Sequence, residues 1–219
     1  MSKIDSSSFA NSDRFSHRIE ELRSGLRTAN PLSLSANTGS EWQPTSADAG
    51  LFKLALWNRP LEVHLPDWVI RKPPGGEEAS QIEQTLILYY FTIADGFPIQ
   101  GRWISFSDLP DGRFYVQAFQ GYTGEKIAQA FQNDLSRLQE AAIHLGGKPS
   151  AVGDVSFEFW ALPRVPVMVA YWRGDEDFPA SARVLFDASV SHYLTTDACA
   201  ILGSTLSRRL ISAGFPKKP

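Results

Sequence analysis

Three runs between Val155 and Asp187 decide the fold: VSFEFWAL (155–162), PVMVAYW (166–172) and ARVLFD (182–187). In the first, Val155, Phe157, Phe159 and Ala161 fall on one side, and Ser156, Glu158 and Trp160 fall on the other. That period of two is the mark of a half-buried strand. Pro163 and Pro166 bracket the first connection, and all the connections are short. The reading is three successive strands.

Upstream, Phe52, Leu54 and Leu56 alternate with Lys53 and Ala55, and Leu61, Val63 and Leu65 alternate with Glu62 and His64. Both runs read as half-buried antiparallel strands. Ser80-x-x-Glu83 is a capping box. It opens a helix whose predicted apolar face is Ile82, Leu86, Tyr89, Tyr90 and Ile93. Arg102 to Phe106 reads as a short strand, and Leu109-Pro110-Asp111-Gly112 carries turn chemistry. Phe114, Tyr115, Ala118 and Phe119 suit a helical face. Glu125–Phe131 and Leu135–Leu145 read as further helices, the second capped by Asp134. Thr196-Asp197 opens a last helix, with Ile201, Leu202, Leu206 and Leu210 on one face. Strands, helices, strands and a final helix predict an α+β domain over residues 50–219, a largely antiparallel sheet packed by several helices.

Residues 1–49 differ in texture. They are rich in Ser, Asn and Thr, with one helical stripe of Phe15, Ile19, Leu22 and Leu26 that Asn30-Pro31 is expected to stop. The expectation is a polar N-terminal arm with one short helix.

Of 219 residues, 21 are basic and 24 acidic, a net charge of -3, so no basic footprint points to nucleic acid or an anionic membrane. The single cysteine, Cys199, cannot form an internal disulfide or build an iron–sulfur or multi-thiolate zinc site. The first residues lack the apolar core of roughly 7–15 residues that a secretory leader needs. The expected compartment is the cytoplasm.

No Gly-x-Ser-x-Gly elbow, Walker loop or Gly-x-Gly-x-x-Gly occurs, and the four histidines lack metal-ligand spacing. No catalytic residue and no metal-ligand set can therefore be assigned. Two candidate sites remain. Asp175, Glu176 and Asp177, with Asp187 and His192, would form a hard-oxygen metal site for hydrolysis if they converged. Otherwise they form an exposed acidic turn, solvated or paired to Arg173 or Arg183. The tryptophans, notably in Arg102-Trp103 and Trp172-Arg173, offer aromatic walls with fixed polar groups, as a ligand pocket requires. Cores and interfaces use the same residues.

GRWISFSDLPDGRFYVQAF, LGGKP, LPRVPVMVAYWRGDEDFPASARVLFDASVSHYL and the Thr-Asp helix opening together resemble the domain of unknown function 3786 family, from about Leu51 onward. The resemblance implies a bacterial or archaeal protein. It also implies an association in some relatives with a four-cysteine iron–sulfur domain like that of corrinoid iron–sulfur proteins. This chain lacks those cysteines, and the resemblance carries no catalytic residues. The functional expectation is a binding or accessory module. Its ligand would be a small molecule, a cofactor, or a corrinoid or iron–sulfur redox partner. Its candidate binding residues are Arg102, Trp103, Trp172, Arg173, Asp175, Asp177, Asp187 and His192. The alternative is a metal-dependent hydrolase using residues 175–177.

Overall fold

The structure is a computed structural model that describes residues 6–46, 49–74 and 76–216, with side chains from residue 16 onward. Phe15 therefore lies outside the described side chains, and residues 1–5 and 47–48 of the arm lie outside the described residues. The class is α+β, with antiparallel strands throughout. The strands divide between two sheets, one in each of two compact units: Met1–Phe97 with His192–Leu194, and Pro98–Ser191 with Thr195–Pro219.

In the N-terminal unit, helices α1 (Ser6–Leu26) and α2 (Pro31–Thr38) precede a meander of β1 (Glu41–Pro44), β2 (Gly50–Leu56), β3 (Arg59–Leu65) and β4 (Val69–Arg71), and α3 (Gln81–Ile93) follows. The alternation in β2 and β3 holds: Phe52, Leu54, Leu56, Leu61 and Val63 are buried. Trp57 and Asn58 both take positive φ, 53° and 62°, as the two central residues of a tight hairpin turn require.

The capping box of α3 is present in both directions, with the Ser80 hydroxyl accepting from Glu83 N–H and the Glu83 carboxylate accepting from Ser80 N–H. Its buried face is wider than one stripe. Leu86, Ile87, Leu88, Tyr90 and Phe91 are all buried, while Ile82 is exposed. The reason is that α1 packs along one side of α3 while Phe91 packs on Phe52 and Trp68 on another, with centroids 4.8 and 5.5 Å away.

The arm is also more structured than its composition suggested. Ile19, Leu22, Leu26 and Leu34 are buried, and β1 pairs with β2. Pro31 opens a helix instead of stopping one. Asn30 is its N-cap and accepts from the N–H groups of Leu32 and Ser33, with Pro31 in the first turn, where a missing N–H costs nothing.

In the C-terminal unit the sheet order is β5-β9-β8-β7-β6, from β5 (Trp103–Ser105), β6 (Lys148–Ser150), β7 (Val155–Leu162), β8 (Val165–Trp172) and β9 (Ser181–Asp187). The three strands read from the sequence form its centre. β8 is flanked on both sides, and Val165 to Tyr171 are all buried, which explains its unbroken apolar run. Helices α4 (Gly112–Tyr122), α5 (Gly124–Phe131), α6 (Leu135–His144) and α7 (Thr196–Gly214) complete the unit. Of its predicted stripe, α7 buries Leu202, Leu206 and Leu210, while Ile201 is half-buried. α4 is helical but turns the other way: Phe114 and Tyr115 are exposed, and Phe119 faces inward, stacked on Phe106 at 4.1 Å.

Candidate functional site

A cleft of about 540 Å³ opens in the N-terminal unit, within the range of small-molecule sites. The last turns of α1 supply Glu20, Arg23 and Leu26, and Arg27 follows just beyond the helix. The link to α2 supplies Ala29 and Pro31, β1 supplies Trp42, and the β3–β4 turn supplies Leu65, Pro66, Asp67 and Trp68. Each wall has a local cause. Trp42 lies across Gly50, where an added Cβ would stand 2.3 Å from its ring, and it packs on Phe52 at 4.7 Å. Trp68 sits at φ 55°, a left-handed conformation rare for a bulky residue. Its indole, 1% exposed, is held against Phe52 and Phe91. Such conformations persist only where the surroundings over-determine them.

The charges are graded by burial. The Arg23 guanidinium donates through Nη1 to Glu20 at 2.7 Å and through Nη2 to Gln84 at 2.9 Å, and only 18% of its side chain is exposed. Its Nε–H is buried and has no acceptor among the described residues. Glu20 is 64% exposed. Arg27 and Asp67 lie at the solvent edge, without a side-chain hydrogen bond or ion pair among the described residues.

The residues singled out from the sequence fall elsewhere and do not converge. Trp103 is the register partner of Asp187, and Trp172 that of Ser181, so the two tryptophans stand at opposite ends of β9. Six strand rises separate those ends by roughly 20 Å. The same strand separates Asp187 from Asp175 and Asp177, which precede it.

Asp175 turns back on its own loop, its Oδ1 accepting from the N–H groups of Asp177 and Phe178 at 2.9 and 2.7 Å. The acidic residues 175–177 are exposed, and no ion pair joins them to Arg173 or Arg183 among the described residues. Phe178, which follows them, is 71% exposed. Asp175 and Phe178 border a second concavity of about 560 Å³ in this unit, otherwise lined mainly by the amide side chains of Gln120, Gln129, Gln132 and Asn133 and by the start of β9.

Trp172 covers Gly153 and carries Arg183 at 5.9 Å, and Arg173 N–H donates to Asp154 at 2.7 Å. Arg102 is exposed, and its carbonyl accepts from Ala188 N–H.

Asp187 is fully buried. Its Oδ1 accepts from Gln100 N–H, Ser189 N–H and the Ser189 hydroxyl, while Oδ2 has no partner among the described residues. Burial pushes its acidity upward, but the hydrogen bonds from Ser189, Gln100 and Gly101 together outweigh it, so the carboxyl sits below its ordinary range.

His192 belongs to the N-terminal unit, where Nδ1 lies 2.7 Å from Asp95 and the ring stacks on Phe97 at 3.9 Å. The His192 hydrogen bond is the main cause holding Asp95 below the usual carboxylate range. Among the described residues, no group of three His, Cys, Asp or Glu side chains is arranged to hold a metal ion.

A family model described as a domain of unknown function, DUF3786, matches residues 30–209. The chain belongs to the DUF3786 family. The DUF3786 match begins at Asn30, the cap of α2, and so takes in β1 and Trp42, which the resemblance from Leu51 had left out. No curated protein and no solved structure matches this DUF3786 chain. No helix among its described residues is long and apolar enough to cross a membrane. Arg23, Arg27 and Trp42 were missed from sequence because the polar composition around them hid a packed segment. The one available signal was the stripe Ile19, Leu22 and Leu26, which places Arg23 and Arg27 one turn apart beside a buried face.

Proposed function

We propose that this protein is a binding module whose ligand, a small molecule or cofactor, sits in the cleft between Trp42 and Trp68, and that it breaks no bond itself. The observation that carries the reading is about 540 Å³ of open space walled by the half-buried Trp42 indole, which the buried Trp68 backs from below, with two arginines and two carboxylates around it. Aromatic walls with a few oriented polar groups are what small-molecule sites share. Rigid indoles also bind with little loss of side-chain freedom.

Native mass spectrometry of the protein purified from its own host tests the reading. A retained non-protein mass is expected in wild type and not in Trp42→Ala. Retention that survives Trp42→Ala but is lost in Trp172→Ala would overturn the location. Bare polypeptide in both samples would overturn the function. The same spectrum reports a corrinoid or iron–sulfur partner protein by mass, the wider form of an accessory role.

A further inference from the structure

We infer that the cleft selects a planar ring system bearing an anionic group, the anion lying toward Arg23 on α1 and Arg27 just beyond its end. This rests on the cleft being a ligand seat and adds the chemistry of the ligand.

The lining carries two cations and two carboxylates, so formal charge does not decide the sign. Burial does. Arg23 is the one charge of the four set mostly within the wall, and its partner Glu20 is largely in water. A charge in a low-dielectric wall acts over its neighbourhood far more strongly than one that solvent and salt screen. The remaining contacts of Arg23 do not cancel it. Gln84 is neutral, and the Nε–H has no acceptor. Arg27, in the turn just after the helix, lines the same cleft with no side-chain partner among the described residues. Asp67, across the cleft, is exposed and screened. The field over the Trp42 wall is therefore positive.

A planar body follows from the Trp42 wall, whose half-buried indole presents a flat apolar face. A guanidinium fork then reads the oxygens of a carboxylate, sulfonate or phosphate. Carboxylates and phosphates share that chemistry, and competition of the probe by benzoate and by adenosine monophosphate distinguishes them.

The test uses three flat fluorescent probes on the full chain: anilinonaphthalenesulfonate (anionic), phenylnaphthylamine (its neutral relative) and thioflavin T (cationic). The sulfonate is expected to bind most tightly. Arg23→Gln should weaken it about tenfold, as loss of a charge-assisted contact does, and should leave the neutral probe unchanged. Arg27→Gln, at the rim, should give a smaller loss in the same direction, and it keeps the test open should Arg23→Gln fail to fold. Anion selectivity is overturned if thioflavin T binds more tightly than the sulfonate, or if neither substitution alters sulfonate binding while Trp42→Ala abolishes binding of the neutral probe. The ligand seat itself is overturned if no probe responds to Trp42→Ala.

Discussion

Gly50→Ala probes the cleft through its hidden support. The new Cβ would stand 2.3 and 2.6 Å from the Trp42 ring and 2.7 Å from the Gln43 carbonyl oxygen. All three are far inside ordinary contact, and the last belongs to paired backbone, so the indole must leave. A packed tryptophan removes about 150–250 Å² from water. Trp42 is half-buried, so freeing about half of that at about 25 cal/mol per Å² costs about 2–3 kcal/mol. For a chain of this length, that lowers the melting temperature by about 4–12 °C. Gly25→Ala is the matched control. Gly25 is exposed on α1 with nothing within 4 Å of an added Cβ, so the substitution should stabilise by about 0.5–1 kcal/mol. Thermal melts followed by circular dichroism, with the neutral probe titrated into both variants, read stability and cleft together. Gly50→Ala should lose the probe as well as stability, while Gly25→Ala keeps the one and gains the other. Were Gly50→Ala to melt with wild type and bind the probe normally, Trp42 would not be seated across Gly50, and the cleft would lack its wall.

Asp187→Asn should destabilise by about 1–3 kcal/mol at neutral pH, because the amide buries a donor where Oδ2 has no partner. The folded carboxyl is held below its ordinary range, so its stabilisation is present above about pH 4 and is lost as pH falls through the folded value. The gap between wild type and variant in urea melts should therefore narrow in acid, and a gap that widens there contradicts the assignment. Asp175→Ala removes the acceptor of two loop N–H groups and should lower stability by about 1 kcal/mol, as loss of a comparable cap does, with probe binding unchanged. Abolished binding would move the site to the acidic corner. Cys199 is fully buried, and burial pushes its thiol far up, so iodoacetamide should label it only at the rate of unfolding. Fast labelling of the native protein would show that α7 opens.

The fold class was legible because it rests on local signals. Period-two runs gave β2, β3 and β7, a capping box gave α3, and Asp134 and the Thr196-Asp197 opening gave α6 and α7. Each needs only the geometry of a strand or a helix turn. Faces were less legible. Phe114 and Tyr115 on α4, and Ile82 on α3, show that an apolar residue at helical spacing does not say which neighbours will cover it. Nor does charge spacing say what lies nearby: Asp175 and Asp187 are close in sequence terms, yet a whole strand holds them apart.

The sequence by itself determined strands, helices, caps and the absence of any recognisable catalytic motif, since propensity and periodicity act over a few residues. The tertiary structure alone decided that the polar N-terminal segment is packed, and that Trp42 shares a cleft with Trp68, with Arg23 of α1 and with Arg27 just beyond it. Those groups come from separate elements, and only the pairing of β1 with β2 and the docking of α1 on α3 bring them within reach of one ligand.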